Sequence, residues 1–106
     1  MDLNREHEYL RACSNLDACR YLGTKVRQWR RTEGLSQVEL AARAEVPLRT
    51  YKRFESHGKA NLETFIQVLQ ALGRTQYLFM LFPGPLPRKP NFEERLKQLT
   101  PTKFKG

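Results

Sequence analysis

Apolar residues recur every three or four positions along most of the chain, and polar punctuation divides them into five or six helical segments with no convincing strand. Leu3, Leu10, Cys13 and Leu16 mark an irregular amphipathic N-terminal helix that is expected to end between Asn15 and Ala18. A second helix, over 20–32, aligns Leu22, Val26 and Trp29 on one stripe, which assigns Trp29 to the core; Lys25, Arg27, Arg30 and Arg31 fall elsewhere on its surface. Gly34 stops it. Ser36 and Glu39 then have the S-x-x-E spacing of a capping box, in which hydroxyl and carboxylate each satisfy a free backbone donor. Leu40, Ala41 and Ala44 are the buried positions of this third helix, and the alanines permit a close crossing.

Pro47 cannot continue that helix but can open the next one, over 47–56, with Tyr51 and Phe54 facing inward and Gly58 ending it. Asn61 and Thr64 bracket the start of a fifth helix, whose stripe is Leu62, Phe65, Ile66, Leu69 and Leu72; Gly73 closes it. The apolar run Thr75–Phe82, TQYLFMLF, fits a short helix or a strand equally well. PGPLPRKP reads as an extended linker. Beyond it, Asn91 and Glu94 can cap a short helix with Phe92, Leu96 and Leu99 on one face. The expected organisation is an N-terminal helical extension (1–19), a central helical domain (20–82) and a Pro-rich basic tail (83–106).

Charge adds an asymmetry to this all-α outline. The net +8 is concentrated in residues 20–60, which carry ten basic side chains against four glutamates, whereas residues 1–19 are net acidic. A polyanion is the partner such a block attracts, and nucleic acid is the commonest. The tail's six basic and two acidic residues either follow a DNA backbone or are simply solvated. No apolar run approaches the roughly 18 residues needed to span a bilayer, and the polar, acidic N-terminus argues against a signal peptide, so a cytoplasmic protein is expected, with no membrane partner.

The geometry of the basic helix gives that charge a use. A helix about 10–12 Å across fits the DNA major groove. Tyr51 and Phe54 anchor one face on the preceding helix, while Arg49, Thr50, Lys52 and Arg53 occupy the rest of the circumference. That is the logic of a helix-turn-helix. The residues Leu22-Gly23-x-x-Val26-Arg27, Gly34-Leu35-Ser36-Gln37, Leu40-Ala41, Thr50 and Phe54-Glu55 together resemble the helix-turn-helix domain of the Xre/Cro/lambda-repressor-like family over about 21–73.

The resemblance implies a five-helix bundle, usually dimeric on a double-stranded DNA operator. Leu48, Arg49 and Arg53 match positions that face base edges. Thr50 and Lys52 lie near the groove wall or backbone; Thr50 is counted among the base readers and Lys52 among the phosphate ligands. Gln37 matches a residue that contacts phosphate and braces the recognition helix. Arg30 and Glu55 match a frequently paired Arg and Glu. Lys59 and Asn61, in the loop after the recognition helix, are further phosphate candidates. The sequence departs from the family at Glu45, where glycine is frequent, and at Pro47, where a Ser or Thr cap is preferred.

Two-fold readers need a dimer, and Leu78, Phe79, Leu81 and Phe82 are the candidate dimerisation residues. A looser resemblance, Leu62-Glu63-Thr64-Phe65 through Leu69-Gln70-Ala71-Leu72, is to HipB-like antitoxins that partner HipA-type kinase toxins, and it implies an autoregulating repressor. The alternative is a protein-interaction module with the helix-turn-helix mainly as scaffold.

Other chemistry finds little support. Cys13 and Cys19 lack the second pair a zinc site or disulfide framework requires and are expected to be small, semi-buried helix residues. His7 and His57 stand apart from other ligands, so no metal or cofactor is expected. No nucleophile–His–acid pattern or phosphate-cradling glycine loop is present, which argues against an enzyme.

Overall fold

A computed structural model describes residues 2–86. Among them the regular structure is entirely helical: α1 (Leu3–Ala12), α2 (Asn15–Thr32), α3 (Gln37–Ala44), α4 (Leu48–His57), α5 (Leu62–Ala71) and a closing 3₁₀ helix, η1 (Thr75–Leu81). The expected Phe92, Leu96 and Leu99 helix and most of the basic tail lie outside the described residues.

The chain's first turn corrects the sequence reading. The N-terminal helix stops at Ala12, and Cys13 and Ser14 adopt extended backbone angles. Ser14 then caps a new helix by accepting the Asp17 amide at 3.1 Å. Leu16 therefore belongs to α2, and the expected division at 19/20 falls inside a continuous helix. Cys19, expected to be semi-buried, is exposed, whereas Cys13 is half-buried. Helix α1 buries no residue of its own. Glu6 attaches it to α2, accepting from the Tyr21 hydroxyl at 2.8 Å and pairing with Lys25 at 2.6 Å.

The remaining helices wrap a small core of Val26, Leu35, Leu40, Ala41, Ala44, Val46, Tyr51, Phe54 and Val68, with Leu48, Phe65, Ala71 and Leu72 packed on its margin. Trp29 is not part of it. Its side chain remains 39% exposed, with the Arg74 guanidinium stacked 3.8 Å from the ring centre. The 22/26/29 stripe identifies the inward side of α2, but only Val26 is buried in the core; Leu22 and Trp29, each 39% exposed, line a depression shared with Phe65 and Leu69 of α5. Leu62 begins α5 outside the core and is 75% exposed.

Helices α2 and α4 cross closely because glycine stands at both contacts. A Cβ on Gly23 would lie 2.5 Å from the Phe54 carbonyl oxygen, and one on Gly58 2.5 Å from that of Cys19.

The joint between α3 and α4 follows the family departures. The Ser36–Glu39 capping box forms with both bonds at 3.0 Å, and its backbone donor holds the Glu39 carboxyl below the usual carboxylate range. At the other end of α3, Glu45 takes the left-handed conformation, φ 57° and ψ 41°, and is the only described non-glycine residue with positive φ. Pro47 is the residue before α4, not its first turn, and no side chain caps the helix. A non-glycine residue in that conformation costs about 1 kcal/mol or more. Glu45→Gly is therefore expected to raise the denaturant midpoint by about that much stability, offset in part by glycine's greater unfolded entropy. Urea unfolding of the two chains measures it; an equal or lower midpoint contradicts the strain argument.

Candidate nucleic-acid interface

Helix α4 is held from behind by one carboxylate. Glu55 sits on the inner face of α4, only 4% exposed as a side chain. It accepts from Arg30 Nε at 3.0 Å and Nη2 at 2.8 Å, a bidentate bond across α2 and α4. Gln37 Nε2 reaches the same carboxylate at 3.1 Å, and the Tyr51 hydroxyl, one turn earlier on α4, donates to it. Arg30 also donates through Nη1 to the Leu35 carbonyl at 2.8 Å, so the loop between α2 and α3 joins the network. Burial opposes ionisation of Glu55, but the bonds from Arg30, Tyr51 and Gln37 outweigh it and hold the carboxyl below its ordinary value. The bond to Glu55 raises Arg30 against the opposing effect of burial. Burial, helped by the same carboxylate, pushes the Tyr51 hydroxyl far up. The network thus favours the charged forms of Glu55 and Arg30 and the neutral form of the Tyr51 hydroxyl.

The front of α4 carries the opposite chemistry. Arg49, Lys52 and Arg53 are exposed and have no ion-pair partner among the described residues. Arg49, Thr50 and Arg53 share one depression of about 400 Å³ with Lys59 and Ala60 from the following loop. Three cationic side chains from two chain segments therefore converge on one concave surface. Lys52 and Asn61 do not line it. The Asn61 side-chain oxygen caps α5 on the Thr64 amide at 2.7 Å, which leaves only its amide nitrogen to donate elsewhere. Leu48 is half-buried and packed on the core margin, so only part of its side chain is free to meet a base.

Gln37 faces a second depression, of about 480 Å³, lined also by Arg27, Arg31, Ser36 and Ser56. Arg27 and Arg31 are one turn apart on α2, and their place beside the start of α3 was not assigned from sequence. The signal that could have found them is their i,i+4 spacing on the exposed face of a helix that also supplies Arg30.

The expected dimerisation residues divide. Leu78 is half-buried, whereas Phe79, Leu81 and Phe82 are exposed, Phe82 by 85%. Tyr77 and Met80, not singled out from sequence, enlarge the same exposed apolar turn. That turn is a 3₁₀ helix, which resolves the choice between helix and strand.

A capped support helix, a left-handed joint and a second helix with its apolar side buried and its arginines outward define a helix-turn-helix. Residues 26–77 match the model of the family described as Helix-turn-helix. The domain they form belongs to that family, in its Xre/lambda-repressor-like branch, which points to a DNA-binding transcription regulator. A comparison with curated proteins found no match. Among the described residues no helix is long and apolar enough to cross a membrane, and no group of three or more His, Cys, Asp or Glu side chains could hold a metal ion.

Proposed function

We propose that the chain is a sequence-specific repressor that binds double-stranded DNA as a homodimer, with α4 in the major groove. The convergence of Arg49, Arg53 and Lys59 on one depression carries this reading. Arg49, Arg53 and the half-buried Thr50 meet base edges, with the free part of Leu48 beside them. Lys52, Lys59, Gln37 and the Asn61 amide hold phosphates. Phosphate contacts fix the register of the protein, and base contacts supply the sequence preference. The looser resemblance of α5 to antitoxins supports a finer proposal, in which the operator lies upstream of the chain's own gene and a HipA-type kinase is the second partner.

A gel shift with that upstream duplex and a scrambled competitor tests the reading. Arg49→Ala and Arg53→Ala are each expected to cost about 1–3 kcal/mol of binding and to relax the preference over the competitor. Unchanged affinity in the double variant would leave the helix-turn-helix as scaffold, the role it has in the interaction-module alternative.

Dimerisation is proposed to run through Phe79, Leu81 and Phe82, with Leu78 supporting them from beneath. Half-sites one duplex turn apart, about 34 Å, require two recognition helices in fixed relation. Sedimentation of Phe79→Ser/Phe82→Ser is expected to give a monomer with unchanged helix content, because both side chains are exposed. A dimer of undiminished affinity would exclude this surface.

A further inference from the structure

We infer that Arg49 and Arg53 commit each operator half-site to a pair of guanines about two base-pair steps apart. The inference rests on the DNA-reading proposal above and concerns what α4 is able to read. Guanine presents two acceptors, N7 and O6, to the major groove, and an arginine fork donates to both. Adenine presents an acceptor beside a donor, and its matching side chain is the amide of Asn or Gln. The face that α4 offers decides between them.

Helix α4, LRTYKRFESH, contains no Asn, Gln or Asp. Its one carboxylate, Glu55, is turned inward and bonded to Arg30. The Ser56 hydroxyl donates back to the Lys52 carbonyl at 2.8 Å and also faces the His57 ring. The nearest amide on the supporting helix, Gln37, gives its nitrogen to Glu55 and lines a different depression from Arg49 and Arg53. What remains on the outer surface is dominated by cationic donors, and the two that are forks stand one helical turn apart. Neither arginine has an acidic partner among the described residues that it would have to leave.

The spacing follows from two rises. Four residues of helix advance about 6 Å along the axis. Successive base pairs are stacked about 3.4 Å apart. A helix lying along the groove therefore brings the two forks to bases about two steps apart, on either strand. Lys59, on the wall of the same depression, is placed to hold the flanking phosphate and to keep α4 from sliding by one step.

Selection of bound duplexes from a randomised pool by the full chain, followed by 7-deazaguanine substitution in the winners, tests this. The enriched half-site should contain two guanines within two steps of each other. Replacing either with 7-deazaguanine, which pairs normally but lacks the N7 acceptor, should weaken binding about tenfold, a loss within the range of one bidentate contact. Arg53→Gln should move the preference at one of the two positions from guanine to adenine and leave the other unchanged. Enriched sites without such a pair, or sites indifferent to 7-deazaguanine, overturn the guanine assignment while leaving a sequence-specific reader. A pool with no enrichment overturns sequence-specific reading itself, and the guanine assignment with it.

Discussion

Glu55→Ala is expected to destabilise the fold by about 3–5 kcal/mol, the usual cost of removing one partner from a buried ion pair. The loss is large because the carboxylate serves three elements at once. Without it the Arg30 guanidinium, 8% exposed, retains only the Leu35 carbonyl, and the Tyr51 hydroxyl and Gln37 amide lose their acceptor. Urea unfolding at neutral pH measures the effect; a change under 1 kcal/mol would mean that desolvation cancels the pair. The same group sets an acid limit. The carboxyl is depressed below its ordinary value of 4.5 in the folded chain, so the unfolded chain takes up the proton first. Its stabilising contribution is fully present above about that pH and is lost as pH falls through the lower, folded value. Glu39 and Glu6 are depressed in the same direction, by the capping box and by Lys25, so Glu55→Ala should flatten the acid slope of stability without abolishing it.

Gly58→Ala is expected to cost roughly 2–5 kcal/mol, from two separable sources. The residue has φ 71°, where a side chain adds about 1–2 kcal/mol. Its Cβ would also lie 2.5 Å from the Cys19 carbonyl oxygen and 2.6 Å from the Arg20 amide nitrogen, backbone atoms that cannot turn aside. Overpacking of this kind adds about 1–3 kcal/mol. Gly34→Ala isolates the first source, since its φ is 73° but nothing lies within 4 Å of the added atom. Equal midpoints for the two alanine chains would show that α2 and α4 separate freely. The expected outcome is that they do not, and that the folded fraction of Gly58→Ala also binds DNA more weakly. Moving the end of α4 away from α2 shifts Lys59 relative to Arg49 and Arg53.

The parts of this molecule that sequence disclosed are those determined within a few residues. Ser36 and Glu39 meet across three positions, and Gly34 and Gly58 end helices by their own conformational freedom. The Arg30–Glu55 pair, 25 residues apart, was legible only through family resemblance, as was the left-handed turn at Glu45. Periodicity assigned Val26, Tyr51 and Phe54 correctly to the inside because they lie mid-helix beneath neighbours. It overreached for Trp29 and Leu62, since a stripe gives the side of a helix and not how far the packing partner extends along it. The Ser14 cap was local yet missed, because Leu10, Cys13 and Leu16 continue a helical spacing across the break. For the candidate interface, sequence supplied the residue types on α4. Which of them share a surface with Lys59 depends on how the loop after Gly58 is folded back.

Trp29 is the chain's sole tryptophan, and Arg74 lies between its ring and that of Tyr77. Tyr77 begins the exposed apolar turn, so the indole reports on the seam where that turn joins the domain. If the proposed dimer forms on η1, a second chain seated there is expected to change the water contacting the ring and hence the colour of the emission, making it an intrinsic gauge of self-association. Dissociation of the proposed dimer on dilution would then be readable in solution on the unlabelled, unmodified chain.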